Sequence, residues 1–215
     1  MDPVSHLRTY TLTELEQIAA NQLKSLSDNF TIPIDIEDIV EQCDIDLDIK
    51  RGSVDRGIMG QIGTNLDTGK FIIKIDEKLF EARHNQRICR MTISEEFAHF
   101  LLHRKTIENV KTYEDAIALK NHPHWHKYER NAKWLAAALL MPAGHVSNDS
   151  RELYKQLVSS AGFGNPTAVK KYIRNLLADK YDVSVSAMKY RLEKWLVNVM
   201  EKIDQAMQDK LDFLD

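Results

Sequence analysis

Apolar residues follow helical spacing over four stretches of the chain and alternate over three others. Thr11-Leu-Thr-Glu14 has the form of a capping box, a hydroxyl with Glu three residues on. It predicts a helix running to about Ser27, with Leu12, Leu15, Ile18, Ala19 and Leu23 inward. Ile32-Pro-Ile-Asp35 interrupts it, and Asp35 is placed to cap a short helix from Ile36 to Gln42. Ile45-Asp-Leu-Asp-Ile49 then alternates as a half-buried strand does. Gly52, Gly57 and Gly60 punctuate a loop. Ile58 to Thr64 and Phe71 to Ile75 read as strands joined through Asn65-Leu-Asp-Thr-Gly69, so a small antiparallel sheet is expected.

After a short helix at Glu77 to Arg83 comes Arg90-Met-Thr-Ile-Ser-Glu-Glu-Phe-Ala-His-Phe-Leu-Leu-His103. It lacks Gly and Pro, and Ile93, Phe97, Phe100 and Leu101 recur at spacings of three and four, which predicts the central helix. Arg104 to Lys127 reads as a polar region containing His122-Pro-His-Trp-His126. The Ala/Leu-rich segment from Glu129 to Met141 predicts a second buried helix, stopped by Pro142. From Arg151 onward the pattern is helical. Pro166 opens one helix, Ser184 caps the next, and Ala187, Met188, Leu192, Trp195 and Leu196 mark the apolar side of the latter. That helix, short turn and helix resemble a helix-turn-helix unit. Asp204 to Asp215 reads as a polar, frayed tail.

The polar residues of the central helix are periodic as well. At about 100° per residue, Glu95 and His99 lie about 40° apart on one face, with Glu96 beside them. A metallopeptidase helix of the His-Glu-x-x-His type has this geometry: ligands at i and i+4 and a Glu that activates water. Here the motif is Glu-Glu-x-x-His, with Glu95 in the first ligand position. Glu129, near the start of the second buried helix, is the candidate third ligand, since a catalytic zinc takes three protein ligands and one water. Two His and one Glu around a divalent zinc leave a charge of about +1, whereas one His and two Glu leave about zero. That weakens the activation of water and favours harder cations such as manganese relative to zinc. The bland alternative is that a Glu-Glu pair with a His on a helix is a solvated face.

The remaining properties narrow the class. The chain has 215 residues, 43% apolar and 28% charged, with a net charge of -3, which suits a soluble domain with an appended module and excludes general coating of nucleic acid. The two cysteines, Cys43 and Cys89, form no metal or redox spacing and suit a reducing compartment. The N-terminal residues have no signal-peptide core and no apolar run is long enough to span a membrane, so a cytoplasmic protein is expected.

At these residues the chain resembles the ImmA/IrrE metallopeptidases. That family's core pattern is Arg-Phe-Thr-[Ile/Leu]-Ala-His-Glu-[Leu/Ile]-[Gly/Ala]-His-x-x-Leu-His, against the segment from Arg90 to His103 here. Its second pattern is Glu-x-x-Ala-Asn-x-Phe-Ala-Ala-Glu-Leu-Leu-Met-Pro, against Glu129-Arg-Asn-Ala-Lys-Trp-Leu-Ala-Ala-Ala-Leu-Leu-Met-Pro142. The segment from Leu177 to Leu192 is similar to the family's C-terminal helix-turn-helix-like part, and the resemblance spans roughly residues 30 to 197. It implies an intracellular, zinc-dependent endopeptidase that cleaves a helix-turn-helix repressor and switches on a stress or mobile-element programme. By the same resemblance His99 and Glu129 are metal ligands, Glu96 is the general base, and His103 lies behind the ligands. Glu95 replaces the family's first His, Lys133 its Asn and Ala138 its second Glu.

Two further signals stay open. His122, His124 and His126 read either as a metal-binding tract or as a surface loop, with His126 a substitute ligand one turn before Glu129. Residues 151 to 200 hold nine Lys/Arg against four Asp/Glu, a balance of +5. Lys189, Arg191 and Lys194 on the last capped helix are candidate contacts to nucleic acid or to a protein partner, or form an ordinary charged outer face.

The expectation is therefore an α+β protein. Residues 1–29 form a helical extension. Residues 30–148 form a zincin-like core of small antiparallel sheet and helix pair. Residues 149–215 form a helical, helix-turn-helix-like module. The expected function is a metal-dependent endopeptidase, holding Zn2+ or another divalent ion such as Mn2+, that acts on a regulatory protein. The alternative is a weak or inactive relative that binds a repressor, a toxin partner or DNA.

Overall fold

The computed structural model describes residues 8–26, 30–50, 54, 57–65, 67–81, 85–159, 165–194 and 197–209. It is α+β, mostly helical with one three-stranded sheet. The chain divides into two units. The first carries α1 to α6 and the sheet, up to Leu139; the second carries Thr31–Ile34 and the chain from Leu140 on.

In the first unit, α1 (Leu12–Leu26) begins at the expected capping box: the Glu14 amide donates to Thr11 Oγ1 at 3.2 Å and the Thr11 amide to Glu14 Oε2 at 2.8 Å. Leu15, Ala19 and Leu23 are its buried residues. Asp35 caps α2 (Ile36–Gln42), its Oδ1 accepting from the Asp38 amide at 3.1 Å.

Three strands follow: β1 (Asp46–Lys50), β2 (Gly60–Thr64) and β3 (Phe71–Asp76). The sheet is not antiparallel as expected. Its order is β1-β3-β2, with β2 antiparallel to β3 but β1 parallel to it, Leu47 opposite Ile73. Alternation of apolar residues determines which face of a strand is buried, not its neighbour or direction. The central strand, β3, is the last of the three in sequence. The hairpin between β2 and β3 closes where the sequence places it. The Asn65 amide donates to the Lys70 carbonyl and the Gly69 amide to the Asn65 carbonyl, both at 2.8 Å. Gly69 has φ +72°, a conformation that glycine adopts without strain.

Phe71, Ile73 and Ile75 are the buried side of β3. β3 lies against the central helix, α4 (Gln86–Asn109), which buries Ile93 and Phe97, and Phe71 meets Phe100 edge-on at 5.0 Å. The short α3 (Glu77–Glu81) precedes it; the expected continuation to Arg83 lies outside the described residues. The polar region from Arg104 to Lys127 is largely helical. α4 continues past a kink at His103 (φ -129°, ψ 20°) to Asn109. Then α5 (Tyr113–Lys120) starts at a full capping box of Thr112 and Asp115, and α6 (Trp125–Leu140) begins four residues before Glu129. Thr112-x-x-Asp115 is a legible helix start. Leu119 and Tyr128 bury the short α5 against α6, with Val110 and Trp125 around them.

The second unit is helical: α7 (Ala143–Ser159), α8 (Pro166–Lys180), α9 (Val185–Glu193) and α10 (Val199–Asp209). Pro166 stands in the first turn of α8, and Ser184 Oγ accepts from the Ala187 amide at 3.0 Å to cap α9. The turn between them closes with the Val183 amide on the Ala178 carbonyl at 3.0 Å and Asp182 at φ 50°. Tyr181 donates its hydroxyl to Asp149 Oδ2 at 2.8 Å, tying the end of α8 to α7. The expected frayed tail, from Asp204, is helix as far as Asp209, with Ala206 buried on the same face as Ile203, the residue just before the tail. Residues 210–215 and the expected apolar contacts of Trp195 and Leu196 lie outside the described residues.

Candidate metal centre

The site forms where α4 and α6 approach each other. Ser94 is fully buried and donates to the Ala136 carbonyl of α6 at 3.2 Å, which holds the two helices in register just beside Glu95. One donor atom from each of Glu95, His99 and Glu129 lies within 4.8 Å of the others. The structure thus brings the three expected ligands together. His99 Nε2 is 3.5 Å from Glu129 Oε1, and His99 itself is buried while the two carboxylates are half-buried and reachable from solvent.

His103 lies one turn behind His99, with the two Nδ1 atoms 3.1 Å apart. When His99 carries its proton on Nδ1, it donates to His103 and leaves the Nε2 lone pair facing Glu129. His103 Nε2 is buried without a hydrogen-bond partner. Tyr128 covers both imidazoles, its ring 3.8 Å from that of His103 and 4.4 Å from that of His99. Burial lowers the pKa of His99 well below its ordinary value and takes His103 down to about 3. Both rings are therefore neutral at pH 7, the state in which an imidazole ligates a metal.

The carboxylates are shifted the other way. Burial raises Glu95 and Glu129 above the usual carboxylate range, with Lys133 opposing the rise in both cases. Glu96 is pushed up to about 8, first by burial and then by the charges of Glu95 and Glu129; the backbone amide of Ile62 on β2 donates to it and partly offsets this. Crowding three carboxylates in a half-buried place is unfavourable unless a cation neutralises them. A convergent imidazole and two carboxylate oxygens fit a divalent metal, with Glu96 beside them.

β2 reaches Glu96 only because Gly60 has no side chain. A Cβ there would sit 2.5 Å from Thr92 Cγ2 and 3.3 Å from Glu96 Cγ, so this glycine is a contact point with α4, not a loop punctuation mark. Sequence reasoning also missed Tyr128 and Ser94. Tyr128 precedes Glu129 directly, and that adjacency to a candidate ligand is the only signal the sequence offered. Ser94 stands where the resembled pattern has Ala.

His126 is exposed and lies outside the three-residue group, and His124 is exposed next to a half-buried His122. An open cleft of about 1230 Å³, lined by Asp46, Asp48, Lys74 and Glu77 among others, contains none of the site residues. In the second unit, Lys189 and Lys194 are exposed. Arg191 is not: it is buried, and its Nε donates to the Met141 carbonyl at 2.9 Å. The expectation that it faces a nucleic acid or partner is corrected by that burial. Tyr190 is 44% exposed with Lys194 over its ring.

The sequence model of the IrrE N-terminal-like domain, peptidase family M78, matches residues 79–193. The chain belongs to the IrrE-like M78 family. This is a metallopeptidase family, and the match contains all of α4 and α6 with the three-residue group. No curated protein matches the chain. As an M78 member it departs from the resembled pattern at the first ligand position, where Glu95 stands, and at Lys133, whose ammonium is 3.7 Å from Glu95 Oε1. Among the described residues no helix is long and apolar enough to cross a membrane.

Proposed function

We propose that the protein is a metal-dependent endopeptidase of the M78 family, working in the cytoplasm on a repressor-like regulatory protein. The observation that carries this reading is the convergence of Glu95, His99 and Glu129, with Glu96 alongside, on the family's own helix pair. These three would hold a divalent ion, zinc or a harder cation such as manganese. When bound, such an ion supplies Lewis-acid polarisation of a peptide carbonyl and of water. Glu96 takes the proton from the attacking water and delivers it to the leaving amine. Its carboxylate is free to accept that proton once a bound cation offsets the charges of Glu95 and Glu129 that help to raise its pKa. His103 fixes the His99 ring through the Nδ1 contact and so orients the ligating nitrogen.

The α8–α9 pair acts in this reading as a helix-turn-helix-like platform that engages the partner, with Lys189 and Lys194 as its exposed cations. A second reading, a weakly active member that works by binding, is favoured by one observation: Lys133 already pairs with Glu95.

The test measures metal content of protein purified without chelator, and cleavage of helix-turn-helix repressors by wild type and Glu96→Gln. About one metal per chain, retained in Glu96→Gln while cleavage falls by roughly 10²-fold or more, is the expected result. Repressor binding without cleavage, in metal-loaded wild type, overturns the peptidase in favour of the binding protein.

A further inference from the structure

We infer that Lys133 is a resident counter-cation of this site, and that a divalent metal has to displace its ammonium in order to bind. The inference rests on the metal-site reading above and deepens it.

Lys133 is four residues after Glu129 on α6, so the two side chains share a helix face. Its Nζ is 3.7 Å from Glu95 Oε1. It also acts on the other two members of the group, lowering the pKa of Glu129 and that of His99. One ammonium is thus felt by all three ligand side chains.

Glu95 and Lys133 are two of the chain's departures from the pattern it resembles, His becoming Glu and Asn becoming Lys; a third, Ala138 for Glu, is buried on α6. The first change adds a negative charge at a ligand position and the second adds a positive charge beside it. Their sum is zero. In the metal-free protein the ammonium compensates two half-buried carboxylates that would otherwise repel each other. In the metal-loaded protein the same ammonium is a like charge next to the ion. The side chain is 60% exposed, so it is able to swing into solvent when the ion arrives. Metal binding then includes the breaking of an ion pair, and the site is tuned to weak, exchangeable binding.

The experiment titrates Zn2+ into chelator-stripped full-length wild type, Lys133→Gln and the double variant Glu95→His/Lys133→Asn, following heat by calorimetry and melting with and without the ion. Lys133→Gln is expected to bind Zn2+ at least about tenfold tighter than wild type. Its melting temperature falls below wild type without zinc and rises above it with zinc. That reversal is specific, because a lysine that only packs would lower melting in both conditions. Equal affinity, or melting lowered equally with and without zinc, overturns the inference while binding by the double variant leaves the metal site standing. No stoichiometric Zn2+ in any of the three proteins overturns the metal site and the inference with it.

Discussion

The α4–α6 site and α9 both carry charged residues at helical spacing, yet they treat charge in opposite ways. At the site, Glu95, Glu96, His99, His103 and Glu129 are wholly or partly withdrawn from water, and every one of them has a shifted pKa. On α9, Lys189 reaches Glu193 at 3.9 Å in solvent and Lys194 lies over the exposed ring of Tyr190. The buried group works against folding, since each charge loses hydration that its neighbours only partly restore. The exposed group costs almost nothing and therefore carries little information about purpose. A helix face that keeps unfavourable ionisable groups together is a stronger sign of chemistry than one that displays them.

The largest effect that tests this contrast comes from Glu96 in the metal-free protein. Its folded pKa, about 8, lies above the ordinary 4.5, so the folded state binds the extra proton between those values. The stabilisation is complete below pH 4.5 and is lost as pH rises through 8. Wild type stripped of metal should lose a few kcal/mol across that window relative to Glu96→Gln, which has no proton there to lose. Denaturant melts of both proteins at pH 5, 7 and 9 measure it. Parallel stability curves would mean that Glu96 is solvated like the α9 lysines, and the contrast between the regions would disappear.

Next in size is the contact that encloses Glu96. Gly60→Ala places a methyl 2.5 Å from Thr92 Cγ2, and overpacking of this kind costs about 1–3 kcal/mol. Thr92→Ser removes the opposing methyl, so the double variant should recover much of the loss, and a double-mutant cycle by chemical denaturation gives the coupling. Additive losses would mean that β2 does not lie against α4 where Glu96 is buried.

What could be read in advance divides along a physical line. Caps at Thr11, Asp35 and Ser184, the bounds of α2 and the shared face of Glu95 and His99 depend on residues within four positions of one another, and these were legible. So was the pairing of Glu129 with that face, because a second buried helix headed by a Glu offered one partner. The parallel placement of β1, the close approach at Gly60, the Ser94 bond to α6 and the Lys133 pair with Glu95 depend on partners far along the chain. Periodicity carries no information about those. The helices between Arg104 and Lys127 are a different case: the Thr112 box was present in the sequence, but the apolar residues of Tyr113–Lys120 do not gather on one helix face, and that masked it. Arg191 was misplaced for the opposite reason. A buried arginine whose Nε meets a main-chain carbonyl has the same sequence signature as one in solvent.

The smallest predicted effect concerns the exposed side of the comparison. Replacing both Lys189 and Lys194 by Ala should change stability by no more than about 0.5 kcal/mol, since neither is buried and the Glu193 pair is solvent-screened. Arg191→Ala should cost more than both together. It strands the Met141 carbonyl and leaves a cavity, which for a buried hydrogen bond to a charged donor is about 1.5–3 kcal/mol. Urea melts of the two variants decide the matter. If the double lysine variant were the more damaging, α9 would use its cations to hold the unit together, and they would not be available for a partner. If it is silent in stability but weakens binding of a repressor or of DNA in a salt-dependent way, the exposed charges serve recognition, as the buried ones serve chemistry.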